Sequence, residues 1–504
     1  MARKKDKKDP GGRYVLTLEA SLTKAQYKQV DAMSEVCRQI ENTVKGLLLK
    51  KWRGIKGNPQ WRAALARHME LARRQERTEA ELAEMKALCA TMREIERSFG
   101  LSEYDMHKVA ASVNVHFGRK ISINEAQRAA TTAWRAFEKY RYGDALKLRF
   151  KRKGEPVTIE NKSNDFGLRE KDGRLLTKKK FSAPLILKKG DRYAEMAVQD
   201  ETCYVRLVPR EIRGRRRAFV QIVKKGTPPA KKRTVGPVEQ IVGIDIGPSS
   251  AAVHAAGTEK AMLRPLPTGE REREEAQIKK LQKRIARSLR LTNPDCFDEN
   301  GAWKKGARPH PSKRCLKDQA AVRDLRRKQV ARRTAETNQF ANEVCALGGS
   351  ILVEDHGMKG WVRRAKTTAK NPKNGRIRSR KRFGGSVRRH APAAFLNDIE
   401  QRIARVPVSK GGPGKLLKVN ARKVKASQLN HATGECVKKK LSQRWFEVDG
   451  QEVQRDLYAA FILSHVPADQ LDKVDLEACR RDWEAFLKAH EAVVADLDKE
   501  LTTV

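Results

Sequence analysis

Three acidic residues stand where their type and surroundings could do chemistry: Asp245, Glu354 and Asp456. Asp245 lies inside VGIDIG and Glu354 ends ILVE, and short apolar runs of this kind are typical of buried strands. A carboxylate in such a strand is costly unless a cation compensates its charge. Gly243 and Gly247 remove side chains beside Asp245, which would leave room for a metal ion or a phosphate backbone. We interpret Asp245 as a metal ligand; the alternative is a strand-end Asp that caps the next turn.

Asp456 differs from the other two acids because it opens a predicted helix, within VQRDLYAAF. In an RNase H-like fold, carboxylates carried by strands and by a helix converge at one edge of the central sheet. Three such acids can hold two divalent cations about 4 Å apart, which activate water and stabilise the leaving oxygen of a phosphodiester. An all-oxygen site favours Mg²⁺, so the pattern predicts two Mg²⁺ ions held by Asp245, Glu354 and Asp456. The alternative for Asp456 is structural, because an acid in the first turn matches the helix dipole.

The composition indicates what would bring a substrate to these acids. The 504 residues contain 108 Lys and Arg against 61 Asp and Glu, a net charge of +47 that is spread along the chain. Such a charge destabilises a compact chain unless an anionic partner offsets it, and a long nucleic acid is the natural partner. No membrane partner is expected, because no apolar run is long enough to span a bilayer. Eight scattered cysteines and the lack of a signal-peptide pattern favour reduced thiols and a cytoplasmic location.

The first predicted module, residues 21–142, is helical. Residues 23–26 (TKAQ) match a capping box, 60–99 follow a helical pattern, and 122–125 (SINE) open a later helix. Its aromatic residues include Trp52, Trp61, Trp134, Phe137 and Tyr140. The last three recur at helical spacing, so core packing is favoured over stacking on nucleic-acid bases.

Residues 146–223 are predicted to form short strands separated by Gly-containing turns, as in a small barrel. The strand candidates are ALKLRF, PVTIE, APLILKK, CYVRLVP and RAFVQIV. Basic residues are densest in the turn at 213–217, which predicts a nucleic-acid contact. A Pro- and Gly-containing linker at 224–237 follows, and a domain boundary is expected near residue 236.

Downstream of VGIDIG, charge-rich helices are expected at 270–291 and 312–347. After ILVED, residues 359–390 contain no Asp or Glu but many Lys and Arg. We interpret this stretch as an extended basic loop that phosphates order, with a solvated linker as the alternative. Further helices are predicted at 391–405 and 475–497.

These motifs resemble those of a known family. VGIDIG, ILVED and the pair KLSQRW and VQRDLYAAF look like the three nuclease motifs of transposon-encoded TnpB proteins. They look equally like those of compact type V CRISPR effectors, the Cas twelve lineage, whose nuclease domain is RuvC-like. Position by position, the resemblance implies that Asp245, Glu354 and Asp456 are catalytic. It also implies a structured guide RNA, a double-stranded DNA target beside a short motif, and cleavage after unwinding, with sequence read by base pairing.

The fold implied is a multidomain α+β protein. It would contain an RNase H-like (RuvC-type) α/β nuclease domain, an oligonucleotide-binding β-barrel (wedge-type) domain and a helical recognition domain inserted near the N-terminus. The expected boundaries are 1–20 for the first barrel strand, 21–142 for the helical domain, 143–235 for the barrel, 236–420 for the first two nuclease motifs, 421–450 for a target-nucleic-acid-binding insert and 451–504 for the third motif. The predicted nucleic-acid contacts are Arg213, Arg215, Arg216, Arg217, Arg363, Arg364, Arg376, Arg378, Arg380, Lys381, Arg382, Arg388 and Arg389. Monomer and homodimer remain open.

The insert before the last acid departs from the family pattern, which has a zinc ribbon with C-x-x-C pairs. Cys436 is the only thiol in this insert, so a four-ligand site cannot be assembled and zinc is not expected. Packing of Leu441, Trp445 and Phe446 is expected to hold the insert instead. Arg444 resembles a basic residue that the family places near the scissile phosphate; the alternative is an ordinary surface arginine.

Three functions compete. The leading one is an RNA-guided DNA endonuclease, and the second is a guided DNA-binding protein that silences by occupancy with little or no cleavage. The third is an enzyme of a different class, because GIDIG also resembles the phosphate-binding strand of actin-like ATPases and sugar kinases. No second phosphate loop of the DxGxG type is visible, and a net charge of +47 would be unusual for that class.

Overall fold

The computed structural model describes residues 12–178, 181–212, 214–229, 235–299, 301–304, 306–355, 357–362, 383–405, 412–440 and 443–502. The chain divides into two compact units, residues 1–231 and 232–504. Each unit combines helices with a β-sheet, so the protein is a mixed α/β multidomain chain. Within the described ranges, no helix has both the length and the apolar content of a membrane span.

Unit 1 begins with one strand and then five consecutive helices. Its helices are α1 (Lys24–Gly57), α2 (Pro59–Arg73), α3 (Glu79–Ser98), α4 (Glu103–His116), α5 (Ile123–Arg141) and α6 (Arg192–Val198). Capping boxes open α1 and α5, as predicted: the Thr23 hydroxyl accepts from the Gln26 amide at 3.3 Å, and the Ser122 hydroxyl accepts from the Glu125 amide at 3.3 Å. These caps satisfy amides that have no partner inside the helix.

The aromatic residues of this helical region pack in its core. Trp52, Trp61 and Phe137 are buried, while Trp134 and Tyr140 pack against the same cluster with partial burial. The rings of Trp52 and Trp61 meet edge to face with centroids 5.3 Å apart. The predicted core packing of Trp134, Phe137 and Tyr140 is therefore confirmed.

A seven-stranded antiparallel sheet completes unit 1. Its strands are β1 (Arg13–Ala20), β2 (Ile159–Glu160), β3 (Arg169–Lys171), β4 (Arg174–Leu176), β5 (Ser182–Ile186), β6 (Thr202–Ile212) and β7 (Arg215–Lys225), in the order β2-β6-β7-β1-β5-β4-β3. β1 pairs with β7 along its whole length, so the first strand joins a sheet whose other strands follow the helices. The Thr202 hydroxyl of β6 donates to Glu170 of β3 at 3.0 Å, which shows that the sheet curls back towards itself.

Unit 2 is built on a five-stranded mixed sheet. Its strands are β8 (Ile241–Ile246), β9 (Ser250–Ala255), β10 (Ala261–Pro265), β11 (Ser350–Glu354) and β12 (Lys415–Val419), in the order β10-β9-β8-β11-β12. β8, β9 and β10 form an antiparallel meander, and β11 runs parallel to both β8 and β12. A separate hairpin consists of β13 (Trp445–Val448) and β14 (Gln451–Gln454).

Helices cover both faces of this sheet. The helices of unit 2 are α7 (Glu272–Thr292), α8 (Lys313–Leu347), α9 (Met358–Trp361), α10 (Gly384–His390), α11 (Pro392–Ile403), α12 (Ala421–Val424), α13 (Arg455–Ser464), α14 (Leu476–Arg481) and α15 (Trp483–Thr502), with a 3₁₀ turn at Pro294–Cys296. On one face Phe340 of α8 and Phe395 of α11 stack with centroids 4.9 Å apart over Val242 and Ile244 of β8. On the other face lies α13, whose side chains from Leu457 onwards are all buried.

The elements differ from the predicted ones in two places. The ALKLRF stretch is not a strand: Leu146 is fully exposed and Phe150 is exposed, so no partner strand covers them. The predicted basic loop ends in a helix, α10, which carries three basic residues in its last turn, where the helix dipole favours them. Residues 363–382 of that loop lie outside the described residues.

Candidate functional site

Asp245 and Glu354 lie side by side at one end of the unit 2 sheet. Ile244 of β8 is paired with Val353 of β11, and each acid is the next residue on its strand. Side chains alternate between faces along a strand. Asp245 therefore shares a face with Gly243, which lies against α13, and Glu354 shares it with Leu352, which packs in the same core as α13. Both carboxylates are on the face that α13 covers.

Asp456 occupies the first turn of α13, as predicted. The helix starts immediately after β14, and the Gln454 side chain caps it by accepting from the Leu457 amide at 2.7 Å. This local structure brings the third acid to the same face of the sheet as the other two.

At Gly243 the backbone of α13 approaches β8 closely. A Cβ at this position would lie 2.2 Å from the carbonyl oxygen of Ala460 and 2.4 Å from the amide nitrogen of Ser464. The interpretation that Gly243 leaves room for an ion or a phosphate is wrong. The missing side chain instead admits the backbone of the helix that carries Asp456.

Two arginines hold the Asp456 carboxylate. Arg444 Nη1 lies 3.0 Å from Oδ2, and Arg455 Nη2 lies 3.1 Å from Oδ1. Asp456 retains 17% of its side-chain exposure, whereas Arg444 retains 57%. Arg444 is therefore a surface arginine whose guanidinium is directed at one of the three acids. The Glu354 carboxylate accepts a hydrogen bond from the Ala426 amide at 3.3 Å.

The chemistry of this donor set fits Mg²⁺, because all three side chains offer carboxylate oxygens. Across the described ranges, however, no group of three or more His, Cys, Asp or Glu residues is arranged to hold a metal ion. The metal-ligand role of Asp245, Glu354 and Asp456 therefore stays a prediction.

The insert beside this site is organised around a lysine. Lys439 Nζ lies 3.3 Å from the ring centroid of Phe446 and donates to the Ser427 carbonyl at 3.2 Å. Burial, together with the positive charge of Arg455, lowers the pKa of Lys439 to about 8. Phe446 is buried as predicted, whereas Trp445 is 41% exposed and its ring meets that of His490 edge to face, with centroids 5.8 Å apart. Leu441 lies outside the described residues.

A buried cluster of aromatic residues and histidines packs around α13. The Tyr458 hydroxyl accepts from the His431 amide at 3.0 Å, and burial raises its pKa. His254 of β9 contacts the Ser464 hydroxyl at 2.8 Å through Nδ1. Burial and the nearby His465 lower the pKa of His254 to about 3. Its Nε2 has no hydrogen-bond partner among the described residues, which fits a ring that stays neutral.

The predicted nucleic-acid contacts fall into three groups. In unit 1, Arg215 is exposed, but Arg216 pairs with Asp31 and Arg217 with Glu19. In unit 2, Arg388 and Arg389 are exposed on α10. The remaining ones lie outside the described residues: Arg213, Arg363, Arg364, Arg376, Arg378, Arg380, Lys381 and Arg382. The nucleic-acid contacts predicted for these residues stay a prediction.

Two features of the site escaped the sequence analysis. Arg455, which directly precedes Asp456, donates to its carboxylate, and the Ala426 amide reaches Glu354 across 72 residues of sequence. The adjacent Arg and Asp in QRD were visible in the sequence, but the direction of the arginine side chain was not. Nothing in the sequence around Ala426 indicated its contact.

Comparison with known proteins gives similarity only at the level of whole structures. No protein-family model matches the chain, and no curated protein matches it. A Cas12f1–sgRNA–target DNA complex aligns at 12% identity over 90% of this chain and 99% of that chain, with a TM-score of 0.42. A CRISPR–Cas12f ternary complex aligns at 12% identity over 90% and 87%, with a TM-score of 0.25. A Cas12i–crRNA–dsDNA complex aligns at 11% identity over 92% and 65%, with a TM-score of 0.28. At these scores the likeness carries no conclusion about function.

Proposed function

We propose that the chain is an RNA-guided DNA endonuclease that hydrolyses phosphodiesters at Asp245, Glu354 and Asp456. One observation carries the proposal: all three acids belong to one face of the unit 2 sheet. Two follow paired residues on neighbouring parallel strands, and the third opens the helix that lies on that face. This is the arrangement that an RNase H-like nuclease requires.

The remaining architecture supports the same function. The unit 2 sheet consists of an antiparallel meander followed by two parallel strands, and we propose that it is a RuvC-type sheet. In unit 1, a curled antiparallel sheet is interrupted after its first strand by helices, which agrees with a wedge-type barrel containing a helical recognition domain. A guide RNA and a double-stranded DNA target would offset the net charge of +47.

Each residue at the site has a distinct part in this proposal. Asp245, Glu354 and Asp456 would hold Mg²⁺, which when bound activates water and stabilises the leaving oxygen. The Ala426 amide fixes the orientation of Glu354, and Arg455 fixes that of Asp456. Arg444 is exposed beside Asp456, where its guanidinium can hold a phosphate next to the acids.

The test begins by sequencing the RNA that co-purifies with the protein and preparing DNA that matches its variable end. We expect cleavage with Mg²⁺ and none with a chelator. Asp245→Asn and Glu354→Gln should abolish cleavage while target binding persists, because each change removes a charge without changing size. Asp355→Asn is the matched control, since Asp355 is 64% exposed and the ion pair that it forms with Lys418 is long, at 3.9 Å. Wild-type cleavage by Asp245→Asn would refute the proposal.

A second candidate function is guided DNA binding with little cleavage, which would silence by occupancy. The observation that favours it is the pairing of Asp456 with two arginines, because this charge is already compensated within the protein. Tight binding of the matched target without product, in Mg²⁺ and in other divalent ions, would establish this function in place of the first.

A further inference from the structure

A cleft rich in arginine lies in unit 2 between α8, α10 and the loop that follows β10. Its volume is about 250 Å³. Four guanidinium groups line it, from Arg326 and Arg333 of α8 and from Arg388 and Arg389 of α10. Among the described residues of its lining, Glu270 is the only acid. The cleft therefore concentrates positive charge around a space of molecular size.

The floor of the cleft is fixed by Gly269. This residue has a positive φ of 64°, and a Cβ there would lie 2.1 Å from the Gln329 carbonyl oxygen and 2.5 Å from the Arg333 amide nitrogen. The Arg332 guanidinium also donates to the Gly269 carbonyl at 3.1 Å. The loop that contributes Thr268 and Glu270 to the lining is thus held against α8.

The four arginines differ in how their charge is compensated. Arg326 pairs with Glu275 at 2.6 Å, and Arg389 lies 3.8 Å from Glu270. The Arg333 guanidinium instead donates to the carbonyl oxygens of Arg388 and Arg389, at 3.4 and 3.0 Å.

Neither Arg333 nor Arg388 forms an ion pair within the described part of the chain. Carbonyl oxygens orient Arg333 without neutralising it. Two full positive charges therefore face the cleft, and an anion is the ligand that would offset them.

Helix α10 contacts the loop that follows the strand carrying Asp245. The Ser386 hydroxyl of α10 donates to the carbonyl oxygen of Pro248 at 3.2 Å, and Pro248 follows Asp245 by three residues. At the other end of α10, His390 Nδ1 lies 2.5 Å from the Leu266 carbonyl oxygen. The helix that supplies Arg388 and Arg389 is thus fastened to the loop directly after the strand that carries Asp245.

We propose that this cleft binds a backbone phosphate of the DNA strand that is led to Asp245, with Arg333 and Arg388 as its principal contacts. The inference rests on the proposed function for the identity of that strand. The guanidinium fork matches the geometry of phosphate oxygens and remains charged at any physiological pH. A free inorganic phosphate offers the same chemistry, and the experiment separates the two sources.

The experiment measures single-stranded DNA binding by the full-length protein with its co-purifying RNA, over a range of salt concentrations. Arg333→Gln and Arg388→Gln should each reduce the slope of log K against log salt by about 0.7, the value for one lost phosphate contact on a single strand. Arg287→Gln is the matched control, because it removes the same charge from an exposed position. Arg287 lies on α7, about 18 Å along the helix from Glu275 at 1.5 Å per residue, and Glu275 is the residue that pairs with Arg326 of the cleft.

A scan with uncharged methylphosphonate linkages locates the contact. One linkage position should weaken wild-type binding about tenfold or more, as expected for a lost hydrogen bond between charged groups. The same position should have no further effect in Arg388→Gln, whose side chain makes no hydrogen bond in the described structure and whose loss does not loosen α10. Such coupling with DNA supports the proposal.

Three results would overturn the proposal. The first is that no linkage position in the DNA shows coupling to Arg388→Gln, and the second is that such coupling is found only with RNA of the same sequence. The third is saturable binding of inorganic phosphate that the DNA does not displace. These outcomes are independent of catalysis. Coupling without cleavage would remove the endonuclease function and leave a DNA-binding cleft, whereas cleavage without coupling would remove the cleft alone.

Discussion

Gly243→Ala is the most direct test of how α13 is held against the sheet. The added Cβ would lie 2.2 Å from the Ala460 carbonyl oxygen, 1.2 Å short of the 3.4 Å at which ordinary contact begins. The three atoms nearest to the added Cβ are all backbone atoms of α13. No side chain can therefore rotate away, and the helix itself must shift by about 1 Å. Overpacking of this kind costs about 1–3 kcal/mol. For a unit of this size, about 2 kcal/mol corresponds to a decrease of about 4–8 °C in the midpoint of thermal unfolding.

The same shift moves Asp456 relative to Asp245 and Glu354. A misplacement of about 1 Å in a catalytic arrangement can reduce the rate about 10²-fold, so DNA cleavage should fall by much more than the loss of folded protein explains. The unfolding midpoint is measured by thermal unfolding, and the cleavage rate is measured by single-turnover assays at a temperature below the unfolding transition. Gly247→Ala is the matched control, because its Cβ would meet Ser250 at an ordinary 3.4 Å. A Gly243→Ala protein with wild-type midpoint and wild-type rate would refute the account of this contact.

Two further predictions concern buried groups that pack around α13. His254 has a pKa of about 3 in the folded chain, against about 6.5 when unfolded, so the unfolded state takes up the proton first and stability falls as the pH drops below 6.5. The loss of stability is about 2 kcal/mol at pH 5. His254→Gln should therefore flatten the decline of the unfolding midpoint between pH 7 and pH 5. A variant of the exposed His310 is the control, and an equal decline in the two variants would contradict the prediction. Tyr458→Phe leaves the buried His431 amide without its acceptor, which should cost about 1–3 kcal/mol. Denaturant unfolding measures that cost, with the exposed Tyr104→Phe as control and an unchanged midpoint as the contrary result.

The sequence predicts elements well where one period or one cap decides them. The capping boxes at Thr23 and Ser122, the strand around Asp245 and the helix opened by Asp456 all depend on neighbouring residues, and each is found. The ALKLRF stretch fails for the opposite reason. Its alternation is that of a strand, but a strand also needs a partner to receive its hydrogen bonds.

The environment of the acids was harder to predict than their positions. Gly243 was expected to make space for a ligand, whereas the space is taken by α13, which comes from more than 200 residues later in the chain. The pairing of Asp456 with Arg444 depends on the β13–β14 hairpin folding back, and Trp445 is exposed because the alternating residues of that hairpin bury Phe446 instead. Long-range packing fixed these outcomes, and no local pattern records it.

The passage from β14 into α13 has no connecting residues: the strand ends at Gln454 and the helix starts at Arg455. The Arg455 amide also donates to the Arg444 carbonyl on the preceding side of the hairpin, at 2.8 Å. The hairpin and the first turn of the helix are thus joined directly, so a displacement of the hairpin would also displace Asp456.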